Sequence, residues 1–318
     1  MLDDTIIRVS SGLMSRCFTL YQVYCLEKKY DIYPIMIIWP KGDGCSADYD
    51  KIFQKRIGKK LLTVHDDYPG IKQAIKNWNY KELCNGIKKK KENKYIKHLV
   101  DQYLEVEGYF DLYPSQEIGW EGERFKSFDK EIKNKILKKI KDKNPVMINT
   151  YCGFIDEVFD LSIKAAVVFR DQFIEEARLR VPNEHDMVGV HIRRTDHATS
   201  INNSKTEFFM EKMDELISEN KEAKFFLSTD DSKEEETILD RYGSRVVIQE
   251  RKTWGRDSEE SIYSAVVDML CLSRCKFILG SCGSVFSNFA ANYGDVDLYV
   301  CDNGVERWKK TYSKKMTS

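Results

Sequence analysis

The sequence predicts an α/β protein built from two doubly wound, Rossmann-like lobes, and three observations carry that expectation. The chain opens as a β-branched run, a glycine turn, a helical pattern and a second apolar run. Its second half, residues 187–300, alternates short apolar runs with helical patterns. Clusters of polar residues fall repeatedly where those runs end, which is where an open parallel sheet holds its ligands.

Taken in order, residues 5–9 (TIIRV) read as a strand that stops at Ser10-Ser11-Gly12. An amphipathic helix over 15–29 and an apolar strand over 34–39 complete a βαβ unit. The loop KGDGCSADYD follows, with a short helix at 48–53. Residues 58–144 read least clearly. They hold two lysine-rich runs, GIKKKKENKYIKHLVDQYLEVEGYF and EIKNKILKKIKDK, whose interleaved acids and retained apolar stripe predict helices with a solvated lysine face. A short strand is expected at 146–149 and one long helix at 161–179. Beyond it come strand 187–192, helix 208–219, strand 223–227, helix 234–242, strand 246–249, helix 259–273 and strand 277–279. A helix opened by Gly280-Ser281-Cys282-Gly283-Ser284 and a last strand at 297–300 close the pattern. The expected lobes are 1–180 and 181–318.

The bulk composition narrows the function. A length of 318 residues accommodates two cores. Lysine plus arginine equals aspartate plus glutamate at 51 each, so no charge excess points to nucleic acid. The cysteines number nine, an odd count, and no two stand as CxxC. With no secretory pattern in MLDDTIIRVSSG, reduced thiols in a cytoplasmic setting are expected, without a structural zinc site. No run approaches the roughly 18 apolar residues a membrane helix needs, while peripheral membrane contact and the oligomeric state stay open.

Arg193 and Arg194, in GVHIRRTDH, are the strongest chemical feature. Two guanidinium forks at a strand end suit the oxygens of a diphosphate; the alternative is a structural ion pair with Asp196 or Asp230. The turn Gly280, Ser281, Cys282, Gly283, Ser284 enters a helix whose free N–H groups favour an anion, though a serine cap with a tight turn explains it equally. Asp230 and Asp231 suggest either a metal–phosphate site or a helix cap, and the arginines favour the version without metal. Asp268 lies on an apolar helix face and needs a partner, either a purine's N–H groups or an internal one. Gly12 and Arg16, in SSGLMSR, face a cleft between the lobes or form an ordinary turn with a surface arginine. GxSxG and HExxH are absent.

GVHIRRTDH, STDD and SAVVDMLCLS…FILGSCGSVFSNFA together resemble the fucosyltransferase superfamily. The likeness is to the alpha-1,6 enzymes and their bacterial nodulation relatives, with alpha-1,2 and protein O-fucosyltransferases more distant. GLMSR and WPKGDGCSADYDKIF are similar to the first βα unit of the bacterial enzymes. The resemblance implies a GT-B-like fold with a cleft between its lobes. It also implies GDP-fucose as donor in the second lobe, a glycan acceptor met mainly by the first, and inverting transfer without a metal or cofactor. On this likeness Arg193 holds the β-phosphate with Arg194 beside it, and His191 and Asp268 meet the nucleoside. Asp230 and Asp231 organise the sugar and the arginines, and Ser281 to Ser284 line the diphosphate. One departure stands out: the glutamate that follows RRTD in the alpha-1,6 enzymes is missing from HATSINNSK, and His197 stands where they have lysine. Asp196, His197 and Glu207 are therefore the candidates for general base. A different nucleotide sugar, or a binding module without catalysis, are the competing readings.

Overall fold

The computed structural model describes residues 5–9, 11–31, 36–42, 44–57, 61–64, 109–111, 122–142, 146–150, 161–250 and 253–312. The chain divides into two compact units, Met1–Val168 and Phe169–Ser318. The division falls earlier than the expected 180/181 because the expected helix over 161–179 is broken. It forms α4 (Ile163–Ala166) and α5 (Asp171–Arg180), with extended backbone at Val167 between them. Val168 accepts the Gln54 N–H at 2.9 Å and belongs to the first unit. Phe169, fully buried, packs edge-on against Tyr293 at 5.5 Å in the second.

The first unit carries a parallel sheet in the order β3-β2-β1-β5-β4, from β1 (Thr5–Val9), β2 (Met36–Pro40), β3 (Leu61–Val64), β4 (Tyr109–Asp111) and β5 (Val146–Thr150). Ile7, Val9, Ile37, Trp39 and Ile148 are fully buried on one face and Arg8 and Ile38 are buried on the other, as expected of strands covered on both faces. Helix α1 (Leu13–Tyr30) buries ten of its 18 residues around most of its circumference, so it is a core helix rather than the one-faced amphipathic helix expected. It ends on Asp31 in the left-handed region, with Lys28 and Lys29 against its negative end. Helix α2 is Tyr49–Ile52. Helix α3 (Gly122–Lys141) holds most of the second lysine-rich run; it buries Ile136 and Ile140 and exposes Lys135 and Lys138, but Lys133 is buried, so the expected solvated lysine face is only partly formed. The first lysine-rich run lies outside the described residues except for Tyr109 and Phe110 in β4.

The second unit holds six strands: β6 (Val188–Ile192), β7 (Phe225–Thr229), β8 (Val246–Val247), β9 (Phe277–Ser281), β10 (Asp297–Cys301) and β11 (Trp308–Tyr312). Their order is β11-β10-β9-β6-β7-β8, parallel throughout except for β10 with β11. Read from β8, this is the doubly wound Rossmann order, and its direction reverses between β6 and β9. The helices are α6 (Ala198–Asn203), α7 (Thr206–Glu219), α8 (Ser232–Tyr242), α9 (Glu259–Leu272) and α10 (Val285–Gly294). Val190, Ile192, Phe209, Met213, Phe225, Leu227, Ile238 and Leu279 form the core against this sheet. Helix α9 starts in a reciprocal Ser258–Ser261 capping box. It meets α5 through Phe173 and Tyr263, with ring centroids 5.3 Å apart.

Strand β7 runs two residues later than expected, so Ser228 and Thr229 are buried strand residues and only Asp230 and Asp231 form the turn. Helix α6 and strand β11 had no expectation. ATSINN has no apolar stripe, and β11 is an antiparallel edge strand rich in lysine. Among the described residues no helix is long and apolar enough to cross a membrane.

Candidate active site

In a doubly wound sheet the ligand crevice lies beyond the carboxyl ends of the two strands where the order reverses. In the second unit those strands are β6 and β9, and their ends are HIRRTDH and the glycine-serine turn. Ser281, fully buried, ties the two together: its hydroxyl accepts the Arg193 N–H at 3.0 Å and donates to His191 O at 3.2 Å. Ser281 is therefore a joint between strands rather than a group lining the crevice. Gly280 leaves room for α10 to pack on β9, since a Cβ there would stand 2.7 Å from Ser287 Oγ.

Arg193 sits just past β6 with its side chain almost wholly buried. Its guanidinium pairs with Asp230 and Asp196 and donates to Thr195 Oγ1 at 3.0 Å. Thr195 takes a left-handed backbone (φ 37°), which folds the loop back over the arginine. Burial, followed by the charge of Arg256, lowers the Arg193 pKa to about 10, so the group remains a cation at neutral pH. The ion pairs with Asp196 and Asp230 that the residues alone offered as an alternative are both present. Asp196 itself is two-thirds exposed and also lies 3.8 Å from Arg256. Burial would raise its pKa, but Arg193 and Arg256 outweigh it and hold the carboxyl below its usual range.

Arg194 is turned inward and serves the scaffold. Its Nε donates to Glu234 at 2.7 Å, one Nη to Arg193 O at 2.9 Å and the other to Thr206 Oγ1 at 2.8 Å. These bonds fasten the end of β6 to the first turns of α7 and α8. Asp230 accepts the Arg194 N–H at 2.7 Å, whereas Asp231 caps α8 by accepting from Lys233 and Glu234 N–H groups. The two aspartates thus face different partners, and the metal reading of the pair does not fit their bonding. Among the described residues no three His, Cys, Asp or Glu side chains gather as metal ligands.

His191 is buried in β6 with its ring stacked on Phe286 at 4.9 Å. Asp268 is 1 % exposed; it accepts from Ser228 Oγ at 2.7 Å and lies 2.8 Å from the Gln249 amide. Its partner is internal, the second of the two alternatives its position left open. Gly283 has a left-handed backbone (φ 72°), and the His197 ring lies over it, with Cε1 3.1 Å from where a Cβ would be. The Cys282 N–H is taken by Ser204 Oγ at 2.8 Å, and Ser284 N–H by Ser281 O at 3.2 Å. The N–H groups at the start of α10, which has no side-chain cap, are the ones a helix N-terminus offers to an anion. His197 caps α6 through Ser200 and is half-buried. Glu207 stands exposed in the first turn of α7, apart from this hydrogen-bonded cluster.

In the first unit, Gly12 is the extended N-cap of α1, and Gly44 packs so closely that a Cβ there would lie 3.1 Å from Gly12 N. Arg16 is fully buried and donates to Ser11 O, Pro40 O and Gly42 O at 2.7, 2.5 and 2.7 Å, with its charge 4.8 Å over Trp39. Neither expectation for Arg16, cleft residue or surface arginine, matches this. It is a clamp holding GLMSR to the end of β2 and the loop that follows, its buried guanidinium satisfied by three backbone carbonyls.

Sequence reasoning missed Thr195, Ser200, Ser204, Thr206, Gln249, Glu234 and Arg256. Each is a polar residue whose partner lies on another element, and spacing along the chain carries no signal of such pairs.

No family model and no curated protein sequence matches the chain. Solved structures do. The chain is similar to a NodZ alpha-1,6-fucosyltransferase co-crystallised with GDP at 15% identity, covering 99% of this chain and 100% of that one, with a TM-score of 0.56. The same enzyme soaked with GDP-fucose matches at 15% identity over 98% of this chain and 100% of that one, TM-score 0.53. A mutant Arabidopsis thaliana FUT1 in complex with GDP matches at 13% over 98% of this chain and 74% of that one, TM-score 0.53. The chain has the GT-B-like α/β fold of these fucosyltransferases.

Proposed function

We propose that this protein is an inverting glycosyltransferase that moves fucose from GDP-fucose to a glycan hydroxyl, as in the synthesis of a bacterial surface polysaccharide or oligosaccharide. The observation that carries the reading is the place of Arg193. A buried cation stands at the β6–β9 reversal, beside a glycine-serine turn that opens α10. The neighbouring fold was solved with GDP and with GDP-fucose. In this reading the acceptor oxygen attacks the anomeric carbon while the bond from that carbon to the β-phosphate oxygen breaks. The electron pair leaves on GDP, and the acceptor proton goes to a base. Arg193 and the first N–H groups of α10 stabilise the charge growing on GDP. Asp196, the exposed partner of Arg193, gives way to the diphosphate, while Asp230 keeps the guanidinium in place.

The reading needs no metal, because the Arg193 guanidinium and the first N–H groups of α10 supply the neutralisation a divalent cation would give. Asp196 is the weakest of the three base candidates, since its arginine neighbours hold it ionised. The seven described cysteines are free thiols, which supports a cytoplasmic setting.

A second reading, a different nucleotide sugar in the same diphosphate clamp, is favoured by one observation. Asp268, which the family resemblance assigns to guanine, is bonded to Ser228 and lies against the Gln249 amide. A thermal-shift panel of GDP, UDP, ADP and their sugars separates the two. Stabilisation by GDP and GDP-fucose alone supports the first reading. Equal stabilisation by UDP or ADP compounds supports the second, and no shift with any nucleotide rejects both.

A further inference from the structure

We propose that His197 is a proton-gated ligand for the donor diphosphate: it takes up a proton as the nucleotide sugar binds and donates Nε2–H to a phosphate oxygen. The inference rests on the donor site proposed above and adds a role to a residue otherwise counted only as a candidate base.

The argument starts from hydrogen counting around Ser200. Cys282 O can only accept, so the Ser200 hydroxyl proton points to it across 2.7 Å. The Ser200 oxygen is then an acceptor towards His197 Nδ1, 2.8 Å away, which requires a proton on Nδ1. The Ser200 backbone N–H faces the same nitrogen at 3.2 Å and requires a lone pair there. One nitrogen thus has two partners with opposite demands. The neutral ring satisfies the helix cap, with Nδ1 accepting and the proton on Nε2. The charged ring satisfies the chain from Nδ1–H through Ser200 Oγ to Cys282 O, and carries a proton on Nε2 as well. The surroundings are built for both states of the ring.

The far edge of the ring is the functional one. Cε1 and Nε2 lie over Gly283, 3.1 and 3.8 Å from the position of its missing Cβ, at the turn that opens α10. Gly283, with its left-handed backbone, leaves that edge room beside the N–H groups at the start of α10. Among the described residues, the charged groups that act on the ring are Arg193 and Asp196 from the loop after β6 and Arg256 from the loop before α9. Helix α6 contributes no charged side chain, and burial holds the Cys282 thiol in its neutral form. Without ligand, burial and then Arg193 push the imidazole below its ordinary value, so it is neutral near pH 7. A bound diphosphate reverses that field, and the ring protonates. The sign follows: affinity is highest at low pH and falls as pH rises between the free and the bound pKa, by up to about tenfold per pH unit. Such a ring also removes His197 from the list of bases and leaves Glu207 as the acid that is not ion-paired to Arg193.

Calorimetric titration of the full chain with GDP-fucose at pH 7, in Pipes and in Tris, measures the protons taken up on binding. GDP-fucose is the right probe because its two phosphates, both esterified, do not titrate near neutrality. The wild type is expected to take up a substantial fraction of a proton, and His197→Gln, which keeps an N–H donor but cannot protonate, close to none. Ser200→Ala, which removes the acceptor for Nδ1–H, is expected to lower the uptake while retaining binding. Binding with no uptake in the wild type, or equal uptake in His197→Gln, overturns this inference and leaves the donor site standing. Absence of any GDP-fucose binding overturns both.

Discussion

Asp231 and Glu234, three residues apart in one turn of chain, contribute stability through different physics. Asp231 caps α8 with a carboxylate that accepts two backbone N–H groups, and its loss is a capping loss. Glu234 pairs with Arg194 at 2.7 Å, both side chains largely buried, so removing it strands a charge. By chemical denaturation Asp231→Ala should cost about 1 kcal/mol and Glu234→Ala about 3 kcal/mol. Equal costs would mean that the Arg194 pair is solvated in practice. Asp231 was legible as a cap because an acid between strand and helix is a local signal. Glu234 was not, since its partner is Arg194, 40 residues away along the chain. Arg16 shows the converse failure: an arginine one turn into a helix reads as a cleft or surface residue, and only the three carbonyls converging on it make it core.

At the scale of elements, the joint between α9 and α10 makes the sharpest demand. Gly294 ends α10, yet the left-handed residue there is Asp295 (φ 54°), so the glycine is needed for space rather than for its backbone freedom. A Cβ at Gly294 would lie 2.0 Å from Ser273 O, and backbone cannot step aside as a side chain can. Gly294→Ala should lower stability by about 2–3 kcal/mol, seen as a lower denaturation midpoint with unchanged slope. An unchanged midpoint would show that the two helices can separate cheaply. Helices α7 to α9 and strands β6 to β10 were readable because apolar period changes from helix to strand along this stretch. Helix α6 was not, because ATSINN folds through the His197–Ser200 cap rather than through an apolar face. The break at Val167 was hidden by the continuous apolar run AAVVF, which reads as helix until the chain is seen to change units inside it.

For the whole molecule, alternation announced parallel sheets, but the strand orders were not readable from it. In the first unit β5 lies beside β1 and β4 takes the edge, an arrangement fixed by packing across long separations. In the second, the reversal between β6 and β9 converts two separate clusters in the sequence into one crevice, with Ser281 as the bond between them. The account turns on that crevice binding a diphosphate through Arg193, and release of GDP from GDP-fucose by the wild type and by Arg193→Ala tests it most directly. Loss of one preorganised donor to the leaving group should lower turnover by roughly 10²–10³, with the variant's fold intact. Turnover by Arg193→Ala within a few-fold of the wild type would contradict it.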